Sequence, residues 1–172
     1  MHAHARAFAL SSVFTTALAV NLAAQRPVEI GMDAAFQFLF EGGATAWTLS
    51  VPIQQARFGF MASDRLSVEP RFAFSHFDNG ASVTALQAGL HLLHYFQPTA
   101  GGSRPYITVG GTLLFVDAGG NSDTQFQLGA GIGVLLPIVS RLFGRLEARY
   151  DRAFSPEVNQ VAALFGLSFF TR

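Results

Sequence analysis

The chain contains no cysteine. That excludes disulfide frameworks, thiolate metal sites, cysteine nucleophiles and lipoprotein attachment together. Lysine is missing too: all 11 basic residues are arginine, which is unusual for a water-facing surface, although a GC-rich genome also depletes lysine. Charge is scarce, at 13% of residues against the roughly 25% of ordinary soluble domains. What charge there is balances, with 11 basic and 11 acidic residues and a formal net charge of +0. No global field therefore favours nucleic acid or an anionic surface, and no nucleic-acid partner is expected. Beyond residue 24 no uninterrupted apolar run is long enough for a membrane helix. Yet mean hydropathy is +0.33, so the surface is short of material for facing water.

The N-terminus has a pattern of its own. "MHAHAR" supplies a short basic region with Arg6, "AFALSSVFTTALAV" an apolar core, and "NLAAQ" a small-residue end. This order predicts a secretory signal peptide over residues 1–24, cut after Ala24. Residues 25–172 then form a single domain, with no linker or composition shift to divide them.

What fills that domain is alternation with period two. In "VEIGMDAAFQFLF", Val28, Ile30, Met32, Ala34, Phe36, Phe38 and Phe40 oppose Glu29, Gly31, Asp33 and Gln37. "WTLSVPI", "LSVEPRFAFSHF", "VTALQAGLHLLHYF", "YITVGGTLLFV", "TQFQLGAGIGVLL", "RLEARYD" and "VAALFGLSFF" continue the pattern, which marks strands with two different environments. Turn chemistry at "EGGAT", "SDR", "DNGA", "QPTAGGSRP", "DAGGNSD", "PIVSR" and "FSPEVN" separates them into about eight strands. In the second strand the phase shifts between Ile53 and Arg57, and Pro52 cannot donate a ladder bond, so a bulge is expected there.

Alternation alone does not say which face points inward. The apolar faces are Phe, Leu, Ile and Val with almost no charge, as a lipid-facing belt requires. The other faces are rich in Gly, Ser, Thr and Gln and carry opposite charges on single strands. The expected fold is therefore all-β: an eight-stranded antiparallel up-and-down transmembrane β-barrel, closed because closure satisfies every backbone donor and acceptor in lipid. Its lumen charge set is Glu29, Asp33, Arg57, Glu69, Arg71, Arg145, Glu147 and Arg149. These charges serve either as an ion pathway or as a structural plug. An eight-strand interior is only just wide enough to hold its own side chains, which favours the plug. Trp47, Tyr95, Tyr106 and Tyr150 lie near strand ends and suit interface girdles.

At "GFMASDRLSVEPRFAF", "RPYITVGGTLLFVDAGGNSDTQFQLGAGIGVLLP" and "RLEARYDRAF", the chain resembles the OmpA/OmpX-like family of small bacterial outer-membrane barrels. The closing "LFGLSFF" resembles the C-terminal strand that the family's barrel-assembly machinery recognises, although here Thr171 and Arg172 follow the last aromatic. The resemblance implies a location in the bacterial outer membrane with outer-membrane lipid as surroundings, and a monomer is the expected state. No peptidoglycan-binding domain follows the barrel region, so cell-wall tethering is not expected. Short surface loops weaken an adhesin reading.

Chemistry has few candidates. His91 and His94 are three apart, which in a strand sends them to opposite faces, and His76 and His94 are expected near an interface. No metal and no cofactor are predicted. Some eight-strand outer-membrane barrels modify lipid A with a Ser, His and acidic set, but Ser75 and His76 are strand neighbours pointing opposite ways. "GAGIG" at 129–133 has no strand-to-helix transition after it, so its glycines read as small lumen residues. The leading expectation is a non-enzymatic envelope protein with a structural or narrow-passage role. Beside it stand a secreted soluble lipocalin-like barrel binding a hydrophobic ligand, and a lipid-modifying enzyme.

Overall fold

A computed structural model describes residues 26–41, 44–78, 82–98, 102–154 and 157–171. The signal peptide expected over residues 1–24 lies outside them. Eight strands follow one another: β1 Val28–Glu41, β2 Ala44–Met61, β3 Leu66–Asp78, β4 Ser82–Tyr95, β5 Arg104–Ala118, β6 Asn121–Val139, β7 Leu142–Phe154 and β8 Glu157–Phe170. Each is hydrogen-bonded antiparallel to its chain neighbour, and β1 pairs with β8, so the sheet closes into a barrel without edges. The start of β1, the end of β8 and the β2–β3, β4–β5 and β6–β7 connections lie at one end, here the terminal end. The other connections lie at the loop end.

The irregularity expected near Pro52 is present. Between Asp33↔Gln55 and Ala35↔Ser50 the register shifts, so that Val51–Gln54 of β2 stand against Ala34 alone. The surplus residues make a bulge where proline has no N–H to give.

Alternation sorts the side chains as a membrane barrel requires. Ile30, Met32, Phe38, Leu90, Val109, Ile132, Phe165 and Leu167 all point outward and are exposed. Glu29, Asp33, Arg57, Glu69, Arg71, Arg145 and Glu147 point inward and are buried. A water-soluble barrel would show the opposite arrangement. The apolar exterior and the closed hydrogen-bond ladder together make this a transmembrane surface.

Candidate functional site: the lumen

Large side chains fit inside so small a barrel because glycines face them. In the ladders, Glu29 stands opposite Gly59, Arg57 opposite Gly31, Asp33 opposite Gly166, Arg71 opposite Gly89, and His91 opposite Gly110. Tyr106 and Glu147 both stand opposite Gly133, Arg149 opposite Gly131, and Asp151 opposite Gly129. A methyl group on Gly31 would collide with the Arg57 guanidinium, and one on Gly133 with the Tyr106 ring. The glycines of "GAGIG" are thus spaces for neighbouring side chains.

Within that space the charges form one network. Arg145 on β7 donates to both oxygens of Glu69 on β3, at 2.7 and 3.2 Å. Arg71 on β3 reciprocates, donating to both oxygens of Glu147 on β7 at 3.0 and 3.3 Å. Strands β3 and β7 are four apart in a ring of eight, so these two paired forks run from one wall to the opposite wall. Fork-to-fork pairing of this kind is the most directional ionic contact a protein makes.

Further contacts fill the remaining directions. Arg57 donates to Glu29, to Asp33 at 2.7 Å and to the Ser168 hydroxyl at 2.9 Å. Arg145 also contacts Glu147 on its own strand, as Arg71 does Glu69 at 2.7 Å. Arg149 donates to Asp151 at 2.7 Å and lies 3.7 Å from Glu147. All eight residues of the expected lumen set are therefore joined in one cluster. With Asp151 added, four guanidiniums meet five carboxylates there.

The structure corrects one placement and adds a layer. Tyr95 and Tyr106 do not belong to an interface girdle. They are 0% and 1% exposed and lie in the lumen. Tyr95 shares the odd-numbered face of β4 with His91 and Leu93, and Tyr106 the even-numbered face of β5 with Arg104 and Thr108. Proximity to a strand end suggested the girdle, but parity decides the face. Their hydroxyls donate to Glu29 at 3.2 Å and to Glu147 at 2.8 Å. Trp47 and Tyr150 do point outward, 68% and 46% exposed.

The two tyrosine rings, 5.6 Å apart, begin an apolar stopper at the terminal end, completed by Met61, Leu93, Leu135, Phe143 and Phe170. The Arg104 guanidinium stacks 4.2 Å from the Tyr95 ring and 5.3 Å from that of Phe170. Toward the loop end, beyond Arg71 and Arg149, Gln55, Gln87, Gln127, Gln160 and Thr112 enclose a cavity of about 10 Å³, space for about one water molecule.

The other candidates fall where alternation sends them. His91 is buried in the lumen, 3.4 Å from the Thr112 hydroxyl, while His94 is exposed outside. His76 is exposed near the loop end and lies 2.9 Å from the Thr84 hydroxyl. Among the described residues no group of three His, Asp or Glu side chains is placed to hold a metal. Asp151 and Gln55 are members of the network that sequence reasoning left out of the site. Asp151 had a signal, since it continues the alternating face of Arg145, Glu147 and Arg149.

Comparison with known proteins agrees with the geometry. Neisserial surface protein A superposes with a TM-score of 0.60 at 15% identity, over 84% of this chain and 99% of that one. The chain has the fold of the small outer-membrane β-barrels. The N-terminal β-barrel domain of OprF from Pseudomonas aeruginosa gives a TM-score of 0.55 at 16% identity, over 84% and 98%. A major outer membrane protein of Thermus thermophilus gives 0.50 at 12%, over 83% and 99%. No family model matches the sequence, and no curated protein matches it. Fold, closed ladder and apolar belt agree on an integral membrane protein of the outer-membrane type.

Proposed function

We propose that the chain is a non-enzymatic, monomeric structural protein of the bacterial outer membrane, with a lumen plugged by its own charges. The observation that carries this reading is the pair of forks between β3 and β7, Arg145 to Glu69 and Arg71 to Glu147, which tie opposite walls together where an open channel would run. Below them the tyrosines and Phe170 close the terminal end with apolar bulk. A plug of this kind exchanges conductance for rigidity, because each ion would have to break buried, bidentate pairs to pass. Phe165, Leu167 and Phe169, exposed along β8, supply the outward face by which the barrel-assembly machinery would engage the last strand.

A lipocalin-like function would need an open apolar cavity, and the charge cluster and the apolar stopper fill the interior instead. Three measurements test the proposal together. Outer-membrane fractions should contain the protein in a form that migrates differently with and without boiling. Planar bilayers holding the purified barrel should show little conductance, and Arg71→Gln should lower stability. A large rise in conductance at unchanged stability would make the charges a pathway instead.

A further inference from the structure

The belt around the barrel is not evenly ridged. One outward row carries Val134, Leu146 and Phe165, and the row beside it carries Ile132, Ala148 and Ala163. Ala148 and Ala163 are paired across β7 and β8, so two methyl groups stand side by side next to the larger Leu146 and Phe165 of the neighbouring row. Between the rows lies an apolar groove of about 690 Å³ crossing β5 to β8. Three gaps of about 4.8 Å give it a length of about 14 Å. The strand tilt of about 40° makes it descend from the terminal rim toward the middle of the belt.

Its upper end is marked by Phe96, whose N–H donates to the Pro105 carbonyl at 3.0 Å. Arg65 stands next to it, because the Arg65 carbonyl accepts the N–H of Tyr95 at 2.7 Å. Arg65 is exposed and makes no ion pair among the described residues. His94 packs edge-on against Phe96, with ring centroids 5.8 Å apart. The barrel is also sorted by charge along its axis. Among the described residues, Arg26, Arg65 and Arg141 face Asp64 alone at the terminal rim, whereas Glu41, Asp117, Asp123 and Glu157 face Arg152 at the loop end.

An apolar channel in a lipid-facing surface that opens beside an unpaired cation on a basic rim is matched by one kind of molecule. We propose that it holds an acyl chain of an anionic phospholipid from the leaflet at the terminal end, with the phosphate at Arg65. The inference rests on the barrel being embedded in lipid, which the boiling-dependent gel shift checks separately for every variant.

The test is native mass spectrometry after the protein has been refolded in nanodiscs of equal phosphatidylglycerol and phosphatidylcholine and released into mild detergent. One phosphatidylglycerol should remain on each barrel. The double variant Ala148→Phe/Ala163→Phe fills the groove with side chains that still suit lipid, and retention should fall roughly tenfold, equivalent to about 1.4 kcal/mol. Arg65→Gln should leave a retained lipid but abolish the preference for phosphatidylglycerol, and it carries the test if the double variant fails to show the gel shift. The proposal is overturned by a parent barrel that keeps no lipid, by retention that the folded double variant does not reduce, or by a preference that survives Arg65→Gln. A dimer mass that the double variant abolishes would assign the groove to a second copy and overturn it equally.

Discussion

Replacing Arg145 with methionine removes a lumen cation that contacts three carboxylates while keeping most of its length. Arg145 donates to Glu69 twice and to Glu147, lies 3.6 Å from Glu29, and its guanidinium sits 4.9 Å from the Tyr106 ring centroid. It is 1% exposed. Without it, three guanidiniums remain for five carboxylates in a space that admits almost no water. Breaking a buried ion pair by removing one partner costs about 3–5 kcal/mol, mostly because the other charge is left uncompensated. With an m-value of about 2 kcal/mol per molar in urea, the unfolding midpoint should fall by about 2 M. The fluorescence of Trp47, the chain's single tryptophan and 68% exposed on the belt, reports the transition. Adding Glu69→Gln removes one of the stranded charges and should recover part of the loss. A single-variant loss below about 1 kcal/mol, the range of exposed pairs, would refute the buried network. So would a double variant no more stable than Arg145→Met.

Two further outcomes test the faces and the packing. Leu90 is 53% exposed in mid-strand while Gln87 lines the lumen cavity; Leu90→Arg should destabilise insertion by about 2–4 kcal/mol. Gln87→Arg should be tolerated far better in refolding assays, and equal tolerance would reverse the assigned faces. A Cβ at Gly131 would lie 2.7 Å from the Ala148 carbonyl oxygen, whereas at Gly144 the nearest atom is 3.7 Å away. Gly131→Ala should therefore lower the urea midpoint by an amount equivalent to about 1–3 kcal/mol of overpacking, with Gly144→Ala close to unchanged.

The strand count, the two faces and eight of the lumen charges were legible in the sequence because alternation is a local property. Once Glu29 is inward, Gly31 and Asp33 must be inward as well, whatever the rest of the chain does. The scarcity of charge and the absence of lysine settled which face meets lipid, since no water-facing surface can be built from Phe, Leu, Ile and Val. The bulge near Pro52 was legible for the same reason, as a break in phase on one strand.

Contacts across the lumen were not. Glu69 and Arg145 are 76 residues apart, and nothing local says that β3 faces β7, or at what height. That follows from closure and from the stagger of all eight ladders. The pairing of glycines with large lumen groups has the same origin, and so has the groove, which exists only because Ala148 and Ala163 come into register. Tyr95 and Tyr106 show the boundary between the two kinds of information. Nearness to a strand end suggested an interface girdle where parity points inward, and only the folded barrel shows that their hydroxyls reach carboxylates on other strands and that their rings close its end. The sequence by itself determined what each residue faces, because a strand alternates wherever it lies; the tertiary structure decided what each residue meets, because meeting depends on how eight strands are staggered around one axis.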